Sequence, residues 1–282
     1  MPYITTSSAT DPTELFYEEV GQGRPVVFIH GWPLSSAMWE YQMGAVAEAG
    51  FRAIAYDRRG FGRSDHPSTG YDYDTFADDL NSVLEELDLR NVTLVGFSMG
   101  GGEVARFMSR YGADRIASVV FASAVTPYLL KGDTNPDGVD EDVFKEMKDK
   151  LRDERPAFLD AFGKQFFGQG MLSHPVSQAT LEASLMVAMQ ASKKGTLDCV
   201  DAFSKTDFRQ DITSIRVPAL IIHGDSDKVV PVESSGRRLA KEIPGAVYNE
   251  YDGAPHALVI THKQDFNRDL IAFLRGDVHP PV

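Results

Sequence analysis

A serine, an acid and a histidine, far apart in this chain, have the types and settings needed to act as one chemical unit. Ser98 lies in Gly96-Phe97-Ser98-Met99-Gly100, after the apolar stretch Val92-Thr93-Leu94-Val95. Beyond it Val104, Phe107, Met108 and Tyr111 recur at helical spacing up to Gly112. The first stretch reads as a buried strand and the second as a helix, so the serine stands at a sharp strand-to-helix turn. The flanking glycines leave room for that turn, where a Cβ would meet the adjoining strand and helix. The bend lifts the hydroxyl out of the sheet and puts the Met99 N–H at a helix N-terminus, where negative charge is stabilised. A serine is a weak nucleophile at neutral pH. It needs a histidine to take its proton and an acid to orient the histidine.

Both partners are present, in the chain order serine, acid, histidine that such a turn favours. Pro218-Ala219-Leu220-Ile221-Ile222 reads as a strand, and His223-Gly224-Asp225-Ser226-Asp227 follows at its end. Either Asp225 or Asp227 could be the acid. The alternating stretch 246–251 leads into Gly253-Ala254-Pro255-His256, which puts His256 in a loop after the last strand. Parallel α/β sheets gather ligands at the carboxyl ends of their strands, so these residues share one rim. Of the other histidines, His30 and His223 end strands before glycine and are expected to satisfy backbone groups. His66, His174, His262 and His279 have polar or proline-flanked neighbours and are expected to face solvent. His223-x-Asp225-x-Asp227 has no further histidine or cysteine nearby, so no metal is expected there. A strand over Pro25-Val26-Val27-Phe28-Ile29 ends in His30-Gly31-Trp32-Pro33. The Trp32 amide is the natural second donor, beside Met99, for an oxyanion.

Strands are expected over 15–20, 26–29, 52–56, 92–95 and 118–122, with Gly21-Gln22-Gly23 as a hairpin turn and helices near 38–49 and 76–88. This alternation is that of a mostly parallel α/β sheet flanked by helices. It stops between Val125 and Thr213 and resumes from Val217. The interruption is helical and rich in Phe and Met, including Phe158, Phe162, Phe166, Phe167, Met171, Met186 and Met189. The expected organisation is a core of residues 1–124 and 214–282 with a helical cap, 125–213, inserted over the site. Asp133-x-Asn135-x-Asp137-Gly138 lacks the glutamate of a calcium loop, having Phe144 in its place, and reads as an acidic turn.

These motifs resemble the α/β-hydrolase superfamily and, within it, the cofactor-free (non-heme) haloperoxidases, bacterial perhydrolases, arylesterases and γ-lactamases. The resemblance is carried by His30-Gly31-Trp32-Pro33, by Tyr56-Asp57-Arg58-Arg59-Gly60-Phe61-Gly62-Arg63-Ser64 and by Gly70-Tyr71-Asp72-Tyr73-Asp74-Thr75-Phe76. It also rests on Gly96 to Glu103, on His223-Gly224-Asp225-x-Asp227 and on Gly253-Ala254-Pro255-His256. It implies an inserted helical cap, Ser98 as nucleophile, His256 as base, Asp227 as acid and the Trp32 and Met99 amides as oxyanion donors. Asp225 is then expected to hold its loop. Dehalogenases and epoxide hydrolases of this superfamily carry aspartate at the turn, so Ser98 excludes them. Pro33 resembles the perhydrolase members; by restricting Trp32 it could tilt a loop carbonyl toward hydrogen peroxide. By analogy with the family's cap, Phe162 and Phe166 are expected to wall an apolar pocket for small aryl or short acyl groups.

The implied enzyme is a serine esterase and perhydrolase that needs no cofactor. Its partners are small esters, amides or carboxylic acids and hydrogen peroxide; a homo-oligomer is expected because family members often associate. A plain arylesterase, a γ-lactamase and a ligand sensor of the same fold are the alternatives. The 282 residues carry a net charge of −13, which argues against nucleic acid and anionic membrane surfaces as partners. A single cysteine, Cys199, excludes an intramolecular disulfide. The start of the chain has neither a basic region nor an apolar core like those of secretory signals, and a cytoplasmic location is expected.

Overall fold

The β-branched and apolar stretches pair into an eight-stranded sheet whose middle is closed to water on both faces. The computed structural model describes residues 2–7 and 12–277. The strands are β1 (Tyr3–Thr5), β2 (Glu14–Val20), β3 (Pro25–Ile29), β4 (Arg52–Tyr56), β5 (Val92–Phe97), β6 (Ile116–Ala122), β7 (Ala219–Gly224) and β8 (Val247–Tyr251), in the spatial order β1-β2-β4-β3-β5-β6-β7-β8. β1–β2 and β2–β4 are antiparallel; the remaining pairs are parallel. Every residue of β5 and β7 is buried. Continuous apolar runs such as Val92–Phe97 are what a strand covered on both faces requires, and each such large side chain contributes about 1.5–3 kcal/mol.

Helices α1 (Glu40–Glu48), α2 (Tyr73–Glu86) and α3 (Met99–Tyr111) connect the first parallel strands. α2 starts where the Asp72 carboxylate accepts from the Thr75 N–H at 3.0 Å, and α3 ends at Gly112, whose φ is 72°. Between β6 and β7 come α4 (Glu141–Phe166), α5 (Gln178–Met189), α6 (Lys193–Lys205) and α7 (Arg209–Ile212). The chain closes with α8 (Gly236–Glu242), α9 (Leu258–Thr261) and α10 (Lys263–Arg275). α2 packs on α3 and α1 on α10. Right-handed crossovers put these pairs on opposite faces of the sheet.

Two expectations are corrected. Gly21 and Gly23 do form a turn with positive φ, but not a hairpin, because β4 inserts between β2 and β3. The sheet also begins earlier, at β1. Helix α4 is not straight: Glu154 leaves helical geometry at φ −140° and ψ 80°, just before Pro156, which has no N–H for Arg152 O. The Arg155 guanidinium fixes the bend by donating to Ala191 O at 2.6 Å and Met189 O at 2.9 Å. The acidic turn at Asp133 closes on the amide of Asn135, which donates to Tyr128 O and Leu130 O at 2.9 Å each.

Candidate active site

Ser98 joins β5 to α3 with φ 53° and ψ −117°, a conformation L-residues rarely adopt. Its N–H donates to Ala122 O at 2.9 Å, and its carbonyl accepts from Gly101 and Val125 at 3.0 and 3.2 Å. Strain of about 1–3 kcal/mol at such a residue persists only where the surroundings over-determine it. A Cβ on Gly96 would lie 2.5 Å from Gly100 O, and one on Gly100 2.4 Å from Ile29 O. Glycine is therefore required on both sides of the turn.

The Ser98 Oγ lies 2.9 Å from His256 Nε2, and His256 Nδ1 lies 2.6 Å from Asp227 Oδ2. A carboxylate can only accept, so Nδ1 carries the hydrogen and Nε2 is free to take one from the serine. The second oxygen of Asp227 accepts from the Val229 and Val230 N–H groups at 2.8 and 2.9 Å. Burial by itself raises the Asp227 carboxyl. Attraction to His256 and hydrogen bonds from His223 and His256 outweigh it and hold the acid well below the usual aspartate range. Asp225 is exposed and accepts from the Gly253 N–H at 2.8 Å, tying down the loop that carries His256. Of the two candidate acids, Asp227 is the one that reaches the histidine.

His256 is held on its faces as well as at its nitrogens. The rings of Phe97 and Phe166 lie 5.1 and 5.3 Å from the imidazole, centroid to centroid. The end of α4 is joined to the same loop by the Ala257 N–H, which donates to Phe166 O at 3.0 Å.

The two residues whose amides are expected to receive an oxyanion, Trp32 and Met99, line one cleft with Ser98. Met99 opens α3, so its N–H has no acceptor within the helix. The Trp32 N–H donates to no backbone acceptor among the described residues. Beneath this loop lies a buried polar network that the sequence did not disclose. His30 Nδ1 is 2.9 Å from Gly31 O, while His30 Nε2 accepts from the Arg58 N–H at 2.9 Å. Arg58 also donates to His30 O at 2.9 Å and to Glu103 at 2.7 Å, and the Tyr56 hydroxyl bonds the other Glu103 oxygen. Burial, then the Arg58 charge, push His30 well below its ordinary pKa, so it is neutral with one nitrogen donating and the other accepting. Arg58 and Glu103 are fully enclosed. Each charge alone would cost several kcal/mol there, which is why they occur as a pair. Arg58 and Glu103 both lie in the quoted motifs, but charge in a sequence does not reveal burial.

Ser98, Met99 and Trp32 open into a cleft of about 640 Å³, lined further by Phe158 and Phe162 of α4, Phe203 of α6, and Val229 and Val230. Trp32 anchors it: its ring packs 5.2 Å from Phe162 and 5.7 Å from Phe203, and its Nε1–H donates to Thr196 O at 3.0 Å. Of the expected wall residues only Phe162 lies on this cleft. Phe166 and Pro33 line a narrow crevice behind it, with Leu34, Leu159 and Leu181. Phe166 is one turn deeper on α4, where it backs His256 instead. Pro33 follows a cis peptide bond and turns away from the cleft that Trp32 faces.

His223 Nε2 donates to Val230 O at 3.0 Å and also lies 3.2 Å from Asp227 Oδ2, a link to the acid that strand position did not suggest. His66 and His174 are exposed and His262 is half-buried; His279 lies outside the described residues. Met171 and Met186 are exposed, 94% and 64%, and take no part in the cleft. No cluster of three or more potential metal ligands occurs among the described residues. Cys199 is buried, and burial pushes its thiol pKa up.

Residues 24–263 match the family model described as alpha/beta hydrolase fold. The chain is 48% identical over 276 residues to a non-heme chloroperoxidase from Kitasatospora aureofaciens, covering 97% of this chain and 99% of the relative. It is 39% identical to a bifunctional esterase/perhydrolase from Acinetobacter calcoaceticus, covering 98% and 100%. The crystal structure of a bromoperoxidase from Bacillus anthracis superposes with a TM-score of 0.93 at 51% identity, covering 97% and 99%. Each of these relatives is named as an enzyme.

Proposed function

The chain belongs to the α/β-hydrolase superfamily and, within it, to the non-heme haloperoxidase family, and from this premise we propose that it is a serine esterase and perhydrolase working through Ser98, His256 and Asp227. One observation carries the reading: an unbroken chain of hydrogen bonds, 2.9 Å from Ser98 to His256 and 2.6 Å from His256 to Asp227, ending on a hydroxyl that faces the cleft. We read residues 125–213 as the cap over that cleft. Self-association belongs to the same reading and is checked by sedimentation.

His256 Nε2 takes the Ser98 proton as Oγ attacks the substrate carbonyl carbon. The oxygen that gains charge is received by the Trp32 and Met99 N–H groups; one such donor contributes about 3–4 kcal/mol in well-studied hydrolases. Asp227 stabilises the imidazolium without taking its proton. His256 then protonates the departing alcohol, leaving an acyl group on Ser98. In the second half His256 deprotonates water or hydrogen peroxide, which attacks the acyl carbon and releases Ser98. Water yields the carboxylic acid and peroxide yields the peracid, which oxidises halide away from the protein. The nucleophile, acid–base and oxyanion roles at Ser98 are all taken by side chains and backbone of this chain.

The test uses the wild-type protein. It should hydrolyse p-nitrophenyl acetate over many turnovers and form peracetic acid from acetate and hydrogen peroxide. Hydrolysis without peracid would reduce the reading to an arylesterase or γ-lactamase. Absence of both activities would overturn it.

A further inference from the structure

The cleft beside Ser98 is larger than a short acyl group requires. Its volume of about 640 Å³ equals that of about twenty water molecules at roughly 30 Å³ each. It falls in the range of about 300–1,000 Å³ that holds ligands of drug size. Acetate would occupy a small part of it.

Most of the residues that line it are apolar. α4 runs along one wall, presenting Val143, Phe144 and Met147 before its bend and Ala157, Ala161 and Phe162 after it. These positions recur at helical spacing, so one face of the helix follows the groove. Val143 is 46% exposed, and Ala157 and Ala161 are exposed too, leaving uncovered apolar surface on both sides of the charged residues at the bend, in the same cleft as Ser98. The alanines matter by their size: a larger side chain at either would stand in the groove. Charged lining residues are exposed, Lys150, Asp153 and Glu154 on α4 and Lys228 across from them. Two cations and two anions give no net field of one sign, so nothing there attracts a charged substrate.

Building on the esterase reading above, we propose that the preferred substrate is an uncharged ester whose acyl or alcohol part is an extended apolar group of hexyl to octyl size, lying along α4. Ala157 and Ala161 act as specificity-determining residues that keep the groove open. The phenylalanines of the cap implied small aryl or short acyl groups; on this reading two small residues, not the large ones, set the width.

Two substrate series test it on the wild-type protein: p-nitrophenyl esters from acetyl to octanoyl, and alkyl acetates from ethyl to octyl. In at least one series kcat/KM should rise at least tenfold from the shortest to the longest member. In Ala157→Phe and Ala161→Phe the long-to-short ratio of that series should fall at least tenfold. If neither variant folds, the two wild-type series decide alone. Hydrolysis of the short esters with flat or falling length dependence in both series would overturn this inference and leave the esterase reading standing. Folded variants that keep the full length preference would remove the role of the alanines. Failure to turn over any ester would contradict the esterase reading itself.

Discussion

The rim of the sheet and the wall formed by α4 face each other across one cleft but are built on opposite principles. On the rim the groups proposed to react are positioned by directional bonds. Asp227 accepts from two amides and lies against two histidines, His256 is held at both nitrogens and on its faces, and Ser98 is fixed through its own backbone. Along α4 most cleft residues are apolar side chains, half-buried or exposed, that make contacts without direction, with a bend anchored from behind by Arg155. Hydrogen bonds set geometry to a fraction of an ångström, whereas apolar contact sets size and shape. In the proposed reaction the rim therefore decides which bond is attacked, and the wall decides which molecule presents it.

The largest expected effect is on the rim. His256→Ala should lower kcat for p-nitrophenyl acetate by about four to six orders of magnitude, because the residues act as a unit. Equal activity in a folded variant would remove the histidine from the chemistry.

Next comes the contrast between the two acids. Asp227→Asn should cost about 10⁴-fold in kcat by favouring the wrong imidazole tautomer. Asp225→Asn, which keeps an oxygen able to accept from the Gly253 N–H and loses only the charge, should cost about tenfold or less. The reverse order at equal folding would assign the acid to Asp225. Asp227 also leaves a pH signature. Its carboxyl ionises lower in the folded chain than the unfolded value of about 3.9, so its stabilisation is complete above that value, declines as pH falls below it and is gone once pH has fallen through the lower folded value. In thermal melts the wild type should lose ground to Asp227→Asn below about pH 4 and not above it.

A third effect is on stability. Glu103→Ala leaves Arg58 buried and unpaired and should destabilise by about 3–5 kcal/mol in urea titrations. Met147→Ala, on the half-buried wall, should cost less than about 2 kcal/mol. Comparable losses would mean that the wall is as tightly specified as the rim.

The smallest effect concerns Pro33. Pro33→Leu should lower the ratio of peracid formation to ester hydrolysis by at most about tenfold, or 1.4 kcal/mol, since one loop carbonyl is at stake. Rates of both reactions in the same preparation give the ratio. An unchanged value would make Pro33 a wall residue of the crevice and nothing more.

The rim was legible in the sequence because its constraints are local. A turn that admits only glycine beside Ser98, and loops that directly follow strands, leave a residue-level imprint. β1 was not legible: three residues are too few to show a period, and they form a strand only by pairing with Glu14–Phe16. The turn at Gly21 and Gly23 was visible, but its partner strand was not, since β4 takes the place between β2 and β3 by a pairing distant in sequence. Arg58, Glu103 and His30 look like ordinary polar residues until the fold encloses them. On α4 the period showed a helix, yet whether Phe166 faced the cleft or His256 depended on the depth at which the helix seats. Met171, 94% exposed, shows that apolar type alone does not place a side chain in a site.

Covalent labelling tests the central assignment most directly. The wild-type protein is treated with a fluorophosphonate, its intact mass measured and the adduct mapped by peptide sequencing. One adduct should form, on Ser98, absent in Ser98→Ala and formed far more slowly in His256→Ala. An adduct on any other residue, or labelling of Ser98→Ala at the wild-type rate, would contradict Ser98 as the nucleophile.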